Sequence, residues 1–264
     1  MSVIGNAILL GGGGGGILTG TTPPSASLGN DGDIYKRSFP LPANVTFVDF
    51  CISSGTQYID SKIYFTPDID VYAKLKHLSP DAAAFGVRKG SWSSFSNSLF
   101  LNDTQTTAVF FKVTSSMAGT SGTEISLSSN EIYEVRAHTI KTGSTYAYVP
   151  EVKGTAVNEK INQASFSAEY KIRLFGYGGS SPAIGAGAAI QRLVLYDAGI
   201  PAADYLACID SNNVVCMWDN IAQEYAYNDG TGVFTYGSVL STPPTELDPV
   251  YYVKQNGAWE IIDA

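Results

Sequence analysis

Short segments in which apolar and polar residues alternate fill this chain from Thr46 to Tyr236, and turn residues separate them. A period of two residues indicates half-buried β-strands. A β/α alternation is absent, which disfavours a parallel sheet. The pattern predicts two antiparallel sheets packed face to face, with Greek-key or jelly-roll crossovers. The strand candidates are 46–52, 57–65, 69–77, 83–88, 97–101, 107–113, 131–138, 144–149, 164–168, 171–176, 189–196, 204–209, 213–218, 223–227 and 233–236.

Composition supports an all-β fold and restricts the partners. The chain has 16 Tyr, 12 Phe and 27 Gly, a mixture that favours strands joined by tight turns. Its 24 acidic and 16 basic residues give a net charge of −8, which repels phosphate backbones and anionic lipid surfaces. Because no basic patch offsets this charge, neither a nucleic acid nor a membrane is expected as a partner.

The amino-terminal segment lacks the features of an export signal. Its apolar run, Ala7 to Leu10, has no basic region before it and is shorter than the ~7–15 residues of a typical signal core. No stretch approaches the ~18 apolar residues of a membrane span. Residues 1–30, with six consecutive glycines, are interpreted as a linker or docking arm that does not fold alone.

Three cysteines lie within apolar, strand-like segments: Cys51, Cys208 and Cys216. Their spacing fits neither a metal site nor a disulfide framework, so buried free thiols are the favoured interpretation. An odd number of cysteines is typical of a protein made in a reducing cytoplasm. A pair between Cys208 and Cys216 across a hairpin remains open.

Three segments resemble the concanavalin A-like, laminin-G-like jelly-roll domains found in proteins of gut bacteria and their phages. They are Ser-Ser-Gly-Thr-Gln-Tyr-Ile-Asp at 53–60, Arg-Leu-Val-Leu-Tyr-Asp at 192–197 and Val-Val-Cys-Met-Trp-Asp-Asn at 214–220. The resemblance is piecewise and implies a jelly roll over residues 41–240. The family has no shared catalytic residues that could be assigned to this chain.

The two ends of the chain together resemble a short motif of phage tail and fibre proteins. Asp-Gly-Asp-Ile-Tyr occupies 31–35, and the second half, Tyr-x-Lys-x-x-Gly-x-Trp, occupies 252–259. The pair Asn256-Gly257 predicts a hairpin turn with two positive φ angles. We expect residues 31–40 and 245–264 to form a small anchoring β-meander into which the jelly roll is inserted, so the ends of the jelly roll must lie close together.

Little in the sequence points to catalysis or to a metal. The chain has only two histidines, so few combinations of residues could form a Ser-His-Asp triad. Asp68 and Asp70 have the spacing of paired carboxylates on one strand, but they follow Thr66-Pro67, where acidic residues usually serve turns. Asn102-Asp103 and Asn228-Asp229 are candidate calcium ligands, but a turn is the favoured explanation for both pairs. No catalytic residue, metal site or cofactor is therefore assigned.

A sugar-binding surface requires exposed rings beside polar groups, and two glycine- or serine-rich loops offer this. The first, residues 90–97, holds Trp92, Phe95 and Asn97, and the second, residues 176–180, presents Tyr177. The alternative is that the rings fold back over the core. Trp218 and Trp259 alternate with apolar strand neighbours and are expected in the core.

Taken with the resemblance, these features predict a phage virion protein that is not an enzyme. It would be made in the host cytoplasm, dock on other virion proteins through its arm, and bind a host-surface glycan from a tail or head fibre. A homo-oligomer, with a trimer as one form, is expected by analogy with fibres. Three alternatives remain: a capsid decoration or head-fibre protein without a specific ligand, a polysaccharide-degrading glycoside hydrolase, and a bacterial surface lectin.

Overall fold

The computed structural model of the protein describes residues 16–78, 82–91, 94–105, 108–114, 124–156, 161–164, 169–179, 183–184 and 186–263. Within these ranges every regular element is a β-strand, so the all-β prediction is confirmed. The same residues contain no helix of the length and apolarity needed to span a bilayer.

The strands are numbered in chain order. They are β1 Ile17–Gly20, β2 Ile34–Arg37, β3 Thr46–Phe47, β4 Cys51–Ser54, β5 Ile59–Tyr64, β6 Ile69–Lys76, β7 Ala82–Ser91, β8 Ser94–Gln105, β9 Ala108–Thr114, β10 Glu124–Ser126, β11 Ile132–Thr142, β12 Thr145–Val152, β13 Thr155–Ala156, β14 Ile161–Ala164, β15 Lys171–Leu174, β16 Gly176–Tyr177, β17 Ala183–Ile184, β18 Ala186–Asp197, β19 Ile200–Ile209, β20 Val215–Asp219, β21 Glu224–Ala226, β22 Thr235–Tyr236, β23 Val250–Gln255 and β24 Ala258–Asp263.

The chain forms two compact units, and one is inserted into the other. The first, which we call the terminal unit, combines Met1–Leu41 with Thr245–Ala264. The second, which we call the inserted unit, is Pro42–Pro244.

The terminal unit is a four-stranded sheet with the order β1-β2-β23-β24. Strand β1 pairs in parallel with β2, whereas the other neighbours are antiparallel. Asn256 and Gly257 have φ angles of 51° and 77°, as the hairpin prediction required. The expectation that residues up to 30 are only an arm is wrong for residues 17–20, because their backbone is paired along β2.

The inserted unit contains two large sheets and one small one. One large sheet has the order β10-β9-β8-β7-β15-β5. The other runs β13-β12-β11-β6-β18-β19-β20-β21, with β3, β4, β14 and β22 attached beside this path, and β16 pairs with β17. Neighbouring strands within the two large sheets are antiparallel.

Both large sheets contribute side chains to one hydrophobic cluster. Phe85 and Ile172 of the first sheet join Leu75, Val135 and Leu193 of the second, and each is almost completely buried. Alternation explains this composition, because every second residue of a strand points to the same face. A shared core between two sheets is consistent with an open sandwich.

The Ser-Ser-Gly-Thr-Gln segment at 53–57 forms a polar turn in which Ser53 and Gln57 are buried. Gln57 is 1 % exposed, and its Oε1 accepts hydrogen bonds from the Ser53 hydroxyl at 3.1 Å and the Ser54 backbone N–H at 2.7 Å. Its Nε2 donates to Thr56 Oγ1 at 3.0 Å. Since a buried amide needs partners of this kind, the motif is explained by local folding.

Candidate functional site

The first predicted ligand loop is shorter than expected. Phe95 and Asn97 belong to strand β8, where Phe95 lies opposite Gly90 of β7. The expectation of a loop over 90–97 is therefore wrong at both of its ends. The structure does not describe Trp92, and it does not describe the side chains of Phe95 and Asn97.

Tyr177, the predicted residue of the second loop, is buried. Its exposure is 1 %, so its ring is not presented to a ligand in this structure. The glycines beside it allow close packing rather than exposure: a Cβ on Gly178 would lie 2.3 Å from the backbone oxygen of Lys171. Phe175, with φ at 60°, is also fully buried, so the chain from 175 to 177 turns inward.

An aromatic strip reaches the surface on the hairpin of β20 and β21. Trp218 and Tyr225 lie opposite each other on neighbouring strands, with ring centroids 5.1 Å apart. Tyr227 continues the row, 5.9 Å from Tyr225 at an interplanar angle of 38°. Exposure rises along the strip from 8 % at Trp218 to 44 % at Tyr227. The expectation that Trp218 belongs to the interior is confirmed.

A carboxylate holds the exposed ring in place. The Tyr227 hydroxyl donates to Asp210 Oδ2 at 2.9 Å, and Asp210 Oδ1 accepts from the backbone N–H groups of Asn212 and Val214, each at 2.8 Å. The Val214 N–H is the main cause of the lowered pKa of Asp210. Desolvation, followed by the bond to Asp210, raises the pKa of Tyr227 to about 12. At neutral pH the phenol therefore stays protonated and donates to an ionised carboxylate.

The strip has the chemistry of a sugar-stacking surface. The rings of Tyr225 and Tyr227 offer apolar faces, and the exposed Asn212 places a polar group beside them. Because Tyr227 is tethered at its hydroxyl, a ligand would not have to order it. This site was not predicted from the sequence, although the alternation of Tyr225 and Tyr227 about Ala226 was a visible signal of two rings on one strand face.

The most deeply buried carboxylates are engaged in internal bonds. Asp204 is fully buried and binds Arg192 through two hydrogen bonds, of 2.8 and 3.0 Å. Asp219 Oδ1 accepts from the backbone N–H groups of Ile221 and Ala222. Burial raises the pKa of both carboxyls. Asp219 Oδ1 also accepts the backbone N–H of Asp204 at 3.3 Å, so the network joins the Arg192 segment to the Trp218-Asp219 segment.

The carboxylates considered for catalysis also have structural contacts. Asp70 Oδ1 accepts the Thr139 N–H at 2.6 Å, and burial raises the pKa of its carboxyl. Asp68 lies 4.0 Å from the ammonium group of Lys141. Both residues are thus involved in joining the start of β6 to β11.

The two calcium candidates differ in their local structure. Asn102 and Asp103 lie in β8 rather than in the expected turn. Asn228 does shape a turn, since its Oδ1 accepts the N–H groups of Tyr58 and Gly230. In the parts of the chain that the structure describes, no three His, Cys, Asp or Glu side chains are grouped for a metal ion.

In the terminal unit, Lys254 binds the segment that precedes β2. Its ammonium group donates to the backbone oxygens of Ala26, Leu28 and Gly29, at 2.8, 2.8 and 2.9 Å. Lys254 is only 6 % exposed. A buried ammonium requires such a set of acceptors, so residues 26–29 are held over the sheet by one side chain.

The acidic residues of the 31–35 motif complete this arrangement. Asp33 accepts the backbone N–H groups of Gly16 and Asn30, each at 2.7 Å, and the bond from Asn30 is the main cause of its lowered pKa. Asp31 Oδ1 accepts the Gly257 N–H at 2.8 Å, which links the motif to the β23–β24 turn.

The aromatic residues of the two motif halves meet in the terminal unit. The Tyr35 ring lies 6.2 Å from that of Tyr252 and 5.9 Å from that of Trp259, as an insertion of the large unit requires. Trp259 Nε1 donates to the backbone oxygen of Ser25 at 3.0 Å. Trp259 was expected in the core but is only half-buried. We call the contacts of Asp31, Asp33, Tyr35, Lys254 and Trp259 the terminal clasp.

Comparison of the sequence with protein-family models and with curated proteins finds no match.

Proposed function

We propose that this chain is a phage virion protein without enzymatic activity, in which the terminal unit anchors an adhesion module of jelly-roll type. The observation that carries the proposal is the insertion itself. In the sequence, Pro42–Pro244 separates the two chain segments that form one small sheet. A module tethered at both ends to a small platform suits display on a particle. The sequence resemblance at 31–35 and 252–259 supports the same assignment.

The terminal clasp suggests how the arm is used. Residues 21–30 are held by Lys254, Asp33 and Trp259, and β1 is paired along β2, so the described part of the arm is bound to the terminal unit. In this proposal the arm docks on other virion proteins after synthesis in the host cytoplasm. Several copies, as in a trimer, would multiply a modest affinity for the host surface.

The surface end of the aromatic strip, Tyr225 and Tyr227, is the best supported adhesion surface among the described residues. The whole chain has a net charge of −8, so a neutral glycan is favoured over an anionic one. The segment with Trp92, Phe95 and Asn97 remains a second proposed contact.

The location of the protein tests the virion assignment. Immunogold electron microscopy of purified particles, with an antibody against residues 46–236, should label particles. Label at the tail tip would support host adhesion, whereas label over the capsid would support decoration. Particles without label, in a preparation where a capsid antibody labels normally, would contradict the virion assignment.

Glycan binding is tested separately by affinity electrophoresis through gels that contain dextran, mannan, galactomannan or xylan. At least one polysaccharide should retard the protein, and Tyr227→Ala should weaken the retardation several-fold because a stacking ring is lost. Tyr64→Ala is the matched control, since Tyr64 is 47 % exposed on β5. Retardation that Tyr227→Ala leaves unchanged would remove the strip from the proposal but keep glycan binding.

One observation favours a second function. Tyr177 is buried, which removes one of the predicted ligand contacts and supports a capsid decoration or head-fibre protein that binds no specific ligand. The absence of retardation in all four gels, together with label over the capsid, would favour this alternative.

A further inference from the structure

Two cysteines of the inserted unit lie directly opposite each other on neighbouring strands. Cys208 of β19 is the register partner of Cys216 of β20. Side chains of such a pair lie on the same face of the sheet. Cys51 has different register partners: it lies opposite Ile190 of β18 and Tyr236 of β22.

The geometry of this pair is close to that of a disulfide. The Sγ atoms of Cys208 and Cys216 are 3.5 Å apart. Directly opposed residues of antiparallel strands have Cα atoms roughly 4.5–5.5 Å apart, within the range of roughly 4.4–6.8 Å that disulfides span. The sulfur atoms would have to approach by about 1.5 Å to bond, which side-chain rotation can supply without a change of register.

Both thiols are fully buried, which controls when they can react. Each has zero exposure, and the hydrogen bond with Cys216, followed by burial, raises the pKa of the Cys208 thiol. The thiolate is the reactive form, so the closed hairpin protects the pair. Reaction then requires the β19–β20 hairpin to open, or to meet an oxidant while it folds.

We infer that Cys208 and Cys216 form a cross-strand disulfide when the chain folds or opens in oxidising surroundings, and that this bond staples the β19–β20 hairpin. The oxidant is a small-molecule disulfide such as oxidised glutathione. One cysteine thiolate attacks it, forms a mixed disulfide and releases one glutathione thiolate. The second cysteine thiolate then attacks the cysteine sulfur of the mixed disulfide and releases the other. The pair loses two protons and two electrons, and oxidised glutathione becomes two molecules of reduced glutathione.

The disulfide is independent of the proposed function and is tested on the full chain. The protein is unfolded and refolded with either oxidised glutathione or a phosphine reductant, and its intact mass is measured. The oxidised sample should lack two hydrogen atoms and, after denaturation, should retain one thiol that iodoacetamide alkylates. Cleavage on the amino side of Asp210 should leave the Cys208 and Cys216 peptides joined until a reductant is added. An oxidised sample that keeps three alkylatable thiols would overturn the inference.

Two variants identify the partners. Cys51→Ser should still lose two hydrogen atoms, whereas Cys208→Ser should keep both of its remaining thiols. Loss of two hydrogen atoms by Cys208→Ser would show that Cys51 pairs with Cys216, and would overturn the assignment. If Cys208→Ser does not fold, the wild-type peptide map decides the pairing alone.

The effect of the disulfide on stability is measured by thermal unfolding. Because the crosslink restricts the unfolded chain, the oxidised protein should melt several degrees above the reduced protein, and reductant should abolish the difference. An oxidised protein with a melting temperature equal to or below that of the reduced protein would contradict stabilisation by the disulfide.

Discussion

Lys254 and Asp204 are buried ionic side chains whose charges are balanced in different ways. Lys254 binds three backbone oxygens, whereas Asp204 binds the guanidinium of Arg192. Hydrogen bonds to charged groups contribute more than neutral ones, and a charge left without its partner in the interior is costly. The two residues are therefore the points at which single substitutions should have the largest effect.

Lys254→Met should release the segment 26–29 from the sheet of the terminal unit. Methionine has a similar length but cannot donate, so three carbonyl groups lose their common donor, at a cost of about 2–4 kcal/mol. Hydrogen–deuterium exchange should then be faster in residues 21–30. Lys62→Met is the control, since the side chain of Lys62 is 73 % exposed and an exposed ion pair contributes little to stability. Equal exchange in the two variants would contradict the role of Lys254.

Arg192→Met should destabilise the inserted unit by about 3–5 kcal/mol, because it leaves the Asp204 carboxylate buried without its cation. Burial raises the pKa of Asp204, and the variant should raise it further, because the Arg192 guanidinium favours the ionised carboxylate. The deficit of the variant should therefore shrink as the pH falls toward the ordinary carboxyl range. Denaturant unfolding at pH 7 and pH 4.5 measures this, and the double variant Arg192→Met, Asp204→Leu should recover much of the loss.

At the scale of elements, turns and hairpins decide which residues meet. The Asn256-Gly257 turn brings Lys254 and Trp259 into cross-strand register. The Ser-Asn-Asn turn before β20 is closed by Asp210, which also binds Tyr227 at the end of the aromatic strip. An aspartate binds the turn of each hairpin: Asp31 accepts the Gly257 N–H, and Asp210 accepts the Asn212 N–H.

The 31–35 turn should depend on pH through Asp33. Because backbone N–H groups of Asn30 and Gly16 lower the folded pKa of Asp33 below 3.8, its contribution is fully present above that pH and is lost as the pH falls through the folded value. Asp33→Asn should remove this part of the acid sensitivity. Exchange rates of residues 16–30, measured between pH 5 and pH 2.5 and corrected for intrinsic rates, should change less in the variant. An unchanged acid profile would contradict the assignment.

At the scale of the whole molecule, insertion joins distant parts of the sequence. Strand β23 pairs with β2 on one side and with β24 on the other. The segment 241–249 that leads to β23 contains no strand and is largely exposed. A cut in this segment would therefore interrupt the chain without breaking the sheet of the terminal unit.

Limited digestion with a Glu-specific protease should nick the chain after Glu246 while the carboxyl-terminal peptide stays bound. The β2–β23 backbone bonds and the terminal clasp hold the peptide in place. Size-exclusion chromatography should elute both fragments together in native buffer and separately in denaturant. A peptide that separates in native buffer would contradict the insertion.

The sequence by itself determined the all-β fold, the positive-φ turn at Asn256-Gly257, and the burial of the cysteines. These depend on local patterns of alternation and turn chemistry, which a sequence displays directly. Only the tertiary structure decided that Tyr177 is buried, that β1 belongs to the terminal sheet, and that Tyr227 is exposed beside Asp210. The physical reason is that burial and parallel pairing depend on which distant segments pack together. Glycines near Tyr177 permit either an exposed turn or close backbone packing, and only the position of Lys171 distinguishes the two.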